Sequence, residues 1–164
     1  MKNDIGTLPP SPLQASVEAS FTIRGWNYEV REGDGTWTTT TTVNGPAGPT
    51  LLEIVVVPEP GRIVARVDLG LRCPPEHRWE TALLLAWLDL WLDLATFGMG
   101  PTTGQLYLRC GLSEELGGRI SAEAVDQLIG HIAERHIRFV PLLSRVVRGQ
   151  VDAVEGLRLL RLGV

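Results

Sequence analysis

Cysteine, histidine, lysine and long hydrophobic runs are all scarce in this chain, and each scarcity removes a class of function. The two cysteines, Cys73 and Cys110, form neither a CxxC pair nor a disulfide framework. Both lie in strand-like segments, so they are either sheet neighbours or, more simply, two reduced and partly buried thiols. The three histidines are His77, His131 and His136. Metal ligands on one helix stand three or four positions apart. His131 and His136 are five apart and diverge by about 140° on a helix, and His77 belongs to another segment. No metal or other cofactor is expected, and His136 reads as a core histidine. Lys2 is the only lysine; the abundance of Arg, Leu, Ala, Gly and Val reads as GC-rich coding. A net charge of −4 supplies no global field for nucleic acid.

Catalytic signatures are also missing. There is no P-loop, GxSxG or HExxH. Gly98, Gly100 and Gly104 make a GxGxxxG, but between two strand-like runs, whereas a dinucleotide loop opens a helix. Asp89 and Asp93 stand one helical turn apart and read as the solvated edge of a greasy helix. No enzyme is expected. The most apolar stretch, Trp79 to Leu94, carries Glu80, Asp89 and Asp93, and a carboxylate at a bilayer centre costs roughly 3 kcal/mol. The first ten residues show no apolar h-region of a signal peptide. These observations predict a cytoplasmic protein that does not enter the membrane.

That stretch, WETALLLAWLDLWLDL, is also the strongest positive signal. At about 100° per residue, Asp89, Asp93 and Ala82 share one narrow stripe, and apolar side chains cover roughly 220° of the remainder. A helix lying on one sheet needs an apolar stripe only a little over 100° wide. The surplus predicts burial against a second protein surface, most simply another copy of the chain. Leu84, Trp87, Leu88 and Trp91 are the candidate dimer face; burying each such side chain contributes roughly 1.5–3 kcal/mol.

The 164 residues suit one domain with one core. Residues 1–10 read as a flexible tail and 11–164 as a single α+β domain. Ser11-Pro12 reads as a helix start, Leu13, Val17 and Phe21 as its apolar face, and Gly25 as its stop. GWNYEVRE places Trp26, Tyr28 and Val30 on one strand face. A turn at Asp34-Gly35 leads into TWTTTTTVN, whose threonines suit a solvated strand near a sheet edge. Leu51 to Val57 and Ile63 to Leu71 continue the sheet, the second with one face toward solvent. Phe97 to Gly100 and Gln105 to Leu112 form a later hairpin. Ser121 caps a helix whose stripe runs Val125, Leu128, Ile129, Ile132, His136, Phe139, Val140 and Leu143. Pro141 predicts a kink or end near Ile137. A short terminal helix docks through Val154, Leu157 and Leu160. The expected fold is α+β: a twisted antiparallel sheet flanked by helices.

GWNYEV with DGTW, LGLRCPPE, GQLYLRCGL and FVPLLSRVVRGQVDAVEGL together resemble YbjN-type proteins, a family similar in fold to the type III secretion chaperones. The resemblance spans roughly Ser11 to Leu160. It departs at the threonine tract and at the Trp- and Leu-rich central helix. It implies a homodimer that binds another protein in a chaperone-like manner, without implying a secretion apparatus. Trp26, Tyr28 and Trp37, near a sheet edge, are the candidate client-binding residues, suited to strand addition by an extended peptide. Arg135, Arg138, Arg145, Arg148, Arg158 and Arg161 offer an alternative reading, a small-ligand or nucleic-acid-linked regulator. The interleaved Glu134, Asp152 and Glu155, without an aromatic stacking platform, disfavour direct nucleic-acid binding.

Overall fold

The computed structural model describes residues 11–33, 35–45, 48–92 and 94–162. The tail at 1–10, Asp34 of the first turn and Asp93 of the acidic stripe lie outside the described residues. Helix α1 (Pro12–Arg24) leads into strands β1 (Glu29–Gly33), β2 (Thr36–Gly45), β3 (Gly48–Val57) and β4 (Arg62–Arg72). A 3₁₀ turn, Pro75–His77, then opens α2 (Arg78–Asp89). Strands β5 (Ala95–Met99) and β6 (Gln105–Ser113), the short α3 (Glu114–Gly117), the long α4 (Ala122–Val147) and α5 (Ala153–Leu162) complete the chain. The six strands form one antiparallel sheet in the order β1-β2-β3-β4-β6-β5. This is the expected α+β architecture.

Local chemistry explains most element boundaries. Ser11 and Gln14 exchange side-chain and backbone hydrogen bonds in a capping box at the start of α1. Gly25, in the left-handed region at φ 65°, stops that helix. Ser121 accepts from the Ala124 N–H and caps α4. Alternating side chains of the central strands, Leu52, Ile54, Val56, Ile63, Ala65, Val67, Leu106 and Leu108, point into the core. Helix α4 packs on β2, β4 and β6, α2 on β5, α1 on α4, and α5 on both α2 and α4.

Five expectations need correction. Strand β1 begins at Glu29, so Trp26 and Tyr28 precede it and pack as rings on Phe21, at 5.7 and 5.1 Å between centroids. The threonine tract is not simply solvated: Thr39 and Thr41 are buried, and their hydroxyls donate to the Glu29 and Asn27 carbonyls. Helix α4 runs unbroken through Pro141. Pro141 and Ile137, whose carbonyl loses its partner, both lie on the exposed side, while buried Phe139, Val140, Leu142 and Leu143 hold the helix down. Helix α2 stops at Asp89 rather than Leu94, because the chain tightens through Trp91 N–H to Leu88 O and Leu92 N–H to Asp89 O before entering β5. In α5, Leu157 and Leu160 dock partly, but Val154 is exposed.

Candidate protein-binding surface

Helix α2 divides the four residues expected at a dimer face into two pairs. Leu84 and Leu88 are buried within the chain itself, alongside Thr81 and Leu85. They serve its own core and offer no outer contact surface. Trp87 and Trp91 remain 44% and 48% exposed. With Trp79, Leu90 and Leu94, also exposed, they are large apolar side chains left uncovered on and just beyond α2. Scattered exposed leucines are ordinary; a cluster of large apolar side chains is the mark of an interaction site. The Arg161 guanidinium lies 6.0 Å from the Trp91 ring centre, giving this patch a polar margin.

Asp89 does not form the solvated edge expected of it. Its carboxylate accepts a hydrogen bond from the Phe97 N–H at 2.7 Å, satisfying a donor on the outer side of edge strand β5. Burial pushes the Asp89 carboxyl above the usual range, and the Phe97 hydrogen bond partly opposes that. The two edges of the sheet are therefore protected differently. At β5 a side chain occupies the edge. At β1 the exposed Glu29, Arg31 and Glu32 blunt it with charge.

Strand β2 outruns its partner. Strand β1 pairs with β2 only from Thr36 to Thr40, whereas β2 continues along β3 to Gly45. Among the described residues, 42–45 thus have a strand on one side only, and they carry no charge. Trp26, partly exposed, borders a cleft together with Thr42, Val43 and Asn44. Tyr28 flanks the outer side with Thr40, Thr42 and Leu51. Trp37 is 4% exposed and belongs to the core. It is withdrawn as a contact residue, since its inward register beside Val56 and Glu32 leaves it no free surface.

The C-terminal arginines are spread over several local contacts. Arg158 pairs with Glu155, Arg138 lies over Phe139, Arg161 lies over Trp91, and Arg135 is 3.4 Å from His131 Nδ1. Cys73 and Cys110 are both free and buried. Cys73 Sγ is 3.1 Å from Thr81 Oγ1. Burial pushes the Cys110 thiol up to about 11, against a smaller opposing effect of Arg135. A thiol held protonated in this way is a poor nucleophile. Among the described residues, no group of three His, Cys, Asp or Glu side chains is placed to hold a metal, and no helix is long and apolar enough to cross a membrane.

The described residues define an α+β fold, one six-stranded antiparallel sheet with helices packed on it. The chain is similar to a chain of the solved HopA1–SchA chaperone–effector complex, with a TM-score of 0.54 and 11% identity, covering 78% of this chain and 95% of that one. At that identity the likeness is one of fold, and the fold class is the type III secretion chaperone-like one expected from the sequence. No protein-family description matches the chain, and no curated protein matches it.

Sequence reasoning missed Asp89 as an edge-capping residue and missed the buried threonines. Asp89 carries one legible signal: it stands immediately before the apolar turn that precedes a strand. The unpaired half of β2 is marked only by a length difference, the five residues of β1 against the ten of β2.

Proposed function

We propose that this chain is a non-enzymatic, homodimeric, chaperone-like adaptor of the YbjN type. It acts in the cytoplasm by holding an extended segment of another protein. The observation that carries the reading is the uncharged, one-sided stretch of β2 at residues 42–45, flanked by Trp26 and Tyr28. A strand edge without a partner strand among the described residues, beside aromatic rings, suits addition of an extended peptide, in which main-chain hydrogen bonds give affinity and side-chain pockets give selectivity. Trp87 and Trp91 form the proposed contact with a second copy, with Leu84 and Leu88 behind them as its rigid support. Similarity to a chain of a chaperone–effector complex supports the protein-binding part of this reading.

The test is affinity capture of the tagged protein at moderate salt in the presence of nuclease, with wild type and Trp26→Ala/Tyr28→Ala compared. The expected result is a stoichiometric protein that wild type retains and the double variant loses, with both baits folded. Nuclease-sensitive partners, or retention indifferent to the substitutions, would overturn the reading.

A further inference from the structure

Beneath the proposed client surface lies a cleft of about 300 Å³ between the end of α1, the far half of β2 and the middle of α4. Leu52, Val67, Ile129 and Ile132 give it apolar walls, Trp26 forms one side, and Thr42 and Asn44 supply polar groups. His136 also lines it; this residue is 2% exposed, and its Nε2 is buried without a hydrogen-bond partner among the described residues. Buried polar atoms are nearly always paired. An unpaired imidazole nitrogen on a residue that lines a preformed cleft is therefore a feature that a ligand can explain.

Charge narrows the ligand class. Arg24, the one guanidinium among the described residues lining the cleft, is already committed. Its Nε donates to Asp126 Oδ1 at 2.5 Å, a terminal nitrogen donates to the Asp126 carbonyl, and the group lies 5.1 Å from the Trp26 ring centre. Burial pushes the His136 pKa down, so the ring is held neutral. Among the described residues lining the cleft, no uncommitted cation remains to attract an anion. Size narrows it further, because about 300 Å³ lies at the lower end of the range for small-molecule sites. Trp26 lines the cleft and is partly exposed, so it offers aromatic surface to a flat ring.

We propose that this cleft binds a neutral aromatic ring bearing one hydrogen-bonding group, a phenol in the simplest case, with that group meeting His136. The phenol belongs either to a free small molecule or to a tyrosine side chain of a bound peptide. A neutral imidazole nitrogen pairs with a hydroxyl in either role, as donor or acceptor. This inference does not require the chain to be a chaperone, and its test uses no client.

The probes are p-cresol, toluene and two seven-residue peptides carrying a central tyrosine or phenylalanine, each titrated into the full chain. Binding is followed by calorimetry and by the NMR signals of the His136 ring and the Trp26 indole. Saturable p-cresol binding, about fivefold to tenfold tighter than toluene, with shifts at both residues, assigns a free small aromatic. The same preference shown by the tyrosine peptide over the phenylalanine peptide, with p-cresol inert, assigns a peptide side chain. In His136→Leu the preference for the hydroxyl disappears while the aromatic ring still binds. Absence of saturable binding by any probe, or equal binding with and without the hydroxyl in the wild type, overturns the proposal. The wild-type comparison decides the matter even if His136→Leu does not fold.

Discussion

The Asp89 carboxylate accepts a hydrogen bond from the Phe97 N–H at 2.7 Å, joining the last residue of α2 to the third residue of β5. This contact ties the end of the helix to the sheet and closes part of a sheet edge. Asp89→Ala leaves a donor unpaired, and its expected cost is about 1 kcal/mol in urea unfolding, with less for Asp89→Asn, which keeps an acceptor. An unchanged midpoint in Asp89→Ala would show that water replaces the contact freely.

The same carboxyl sets a pH dependence. Its folded pKa is raised, chiefly by burial, so between the unfolded value and the folded one the native state holds the proton more tightly. Its contribution is present below about pH 4, the ordinary aspartate range, and is lost as pH rises through the folded value. Stability curves from acid to neutral pH are expected to be flatter on this limb for Asp89→Asn than for wild type.

His136 works in the opposite direction. Burial lowers its folded pKa, so its contribution is present above about pH 6.5, the ordinary histidine value, and is lost as pH falls toward the folded one. The charged and acidic groups nearest on its own helix, Glu134 and Arg135, sit at exposed and partly exposed positions. His136→Leu is expected to gain about 1 kcal/mol at mildly acid pH by removing an unpaired buried nitrogen, and to flatten the slope. Thermal melts across pH 5 to 8 check both; a variant with the wild-type slope would contradict the assignment.

Trp87 and Leu88 are neighbours with opposite assignments. Trp87→Arg with Trp91→Arg is expected to give a folded monomer, read by light scattering together with an unchanged melting temperature. Leu88→Arg places a charge in the core and is expected to cost several kcal/mol or prevent folding. A double tryptophan variant with the wild-type mass at all concentrations would remove α2 from the proposed dimer contact.

Gly104 joins the β5–β6 turn to the end of β4. Its φ is +70°, the Cys73 N–H donates to its carbonyl at 2.8 Å, and a Cβ would overlap the Cys73 carbonyl oxygen. Gly104→Ala therefore meets both backbone strain and overlap with a rigid backbone atom. The expected destabilisation is about 2 kcal/mol or more, measured as a lowered melting temperature. Of the GxGxxxG spacing, this glycine has a structural cause, and it concerns chain packing rather than a nucleotide.

The sequence by itself determined the caps at Ser11 and Ser121, the stop at Gly25, the alternation along β4 and the apolar stripe of α4. These are local matters: a cap needs only neighbouring atoms, and periodicity reports how side chains lie relative to one another within an element. Only the tertiary structure decided that Leu84 and Leu88 face inward while Trp87 and Trp91 face outward, that Trp37 and Thr39 are buried, and that α4 passes through Pro141. A helical wheel gives the angle between Leu88 and Trp91 but not the direction of the sheet. Strand alternation separates Trp37 from Thr38 without saying which side the helices cover. That choice is made when the elements dock and the largest apolar area leaves water, a property of the assembled layers.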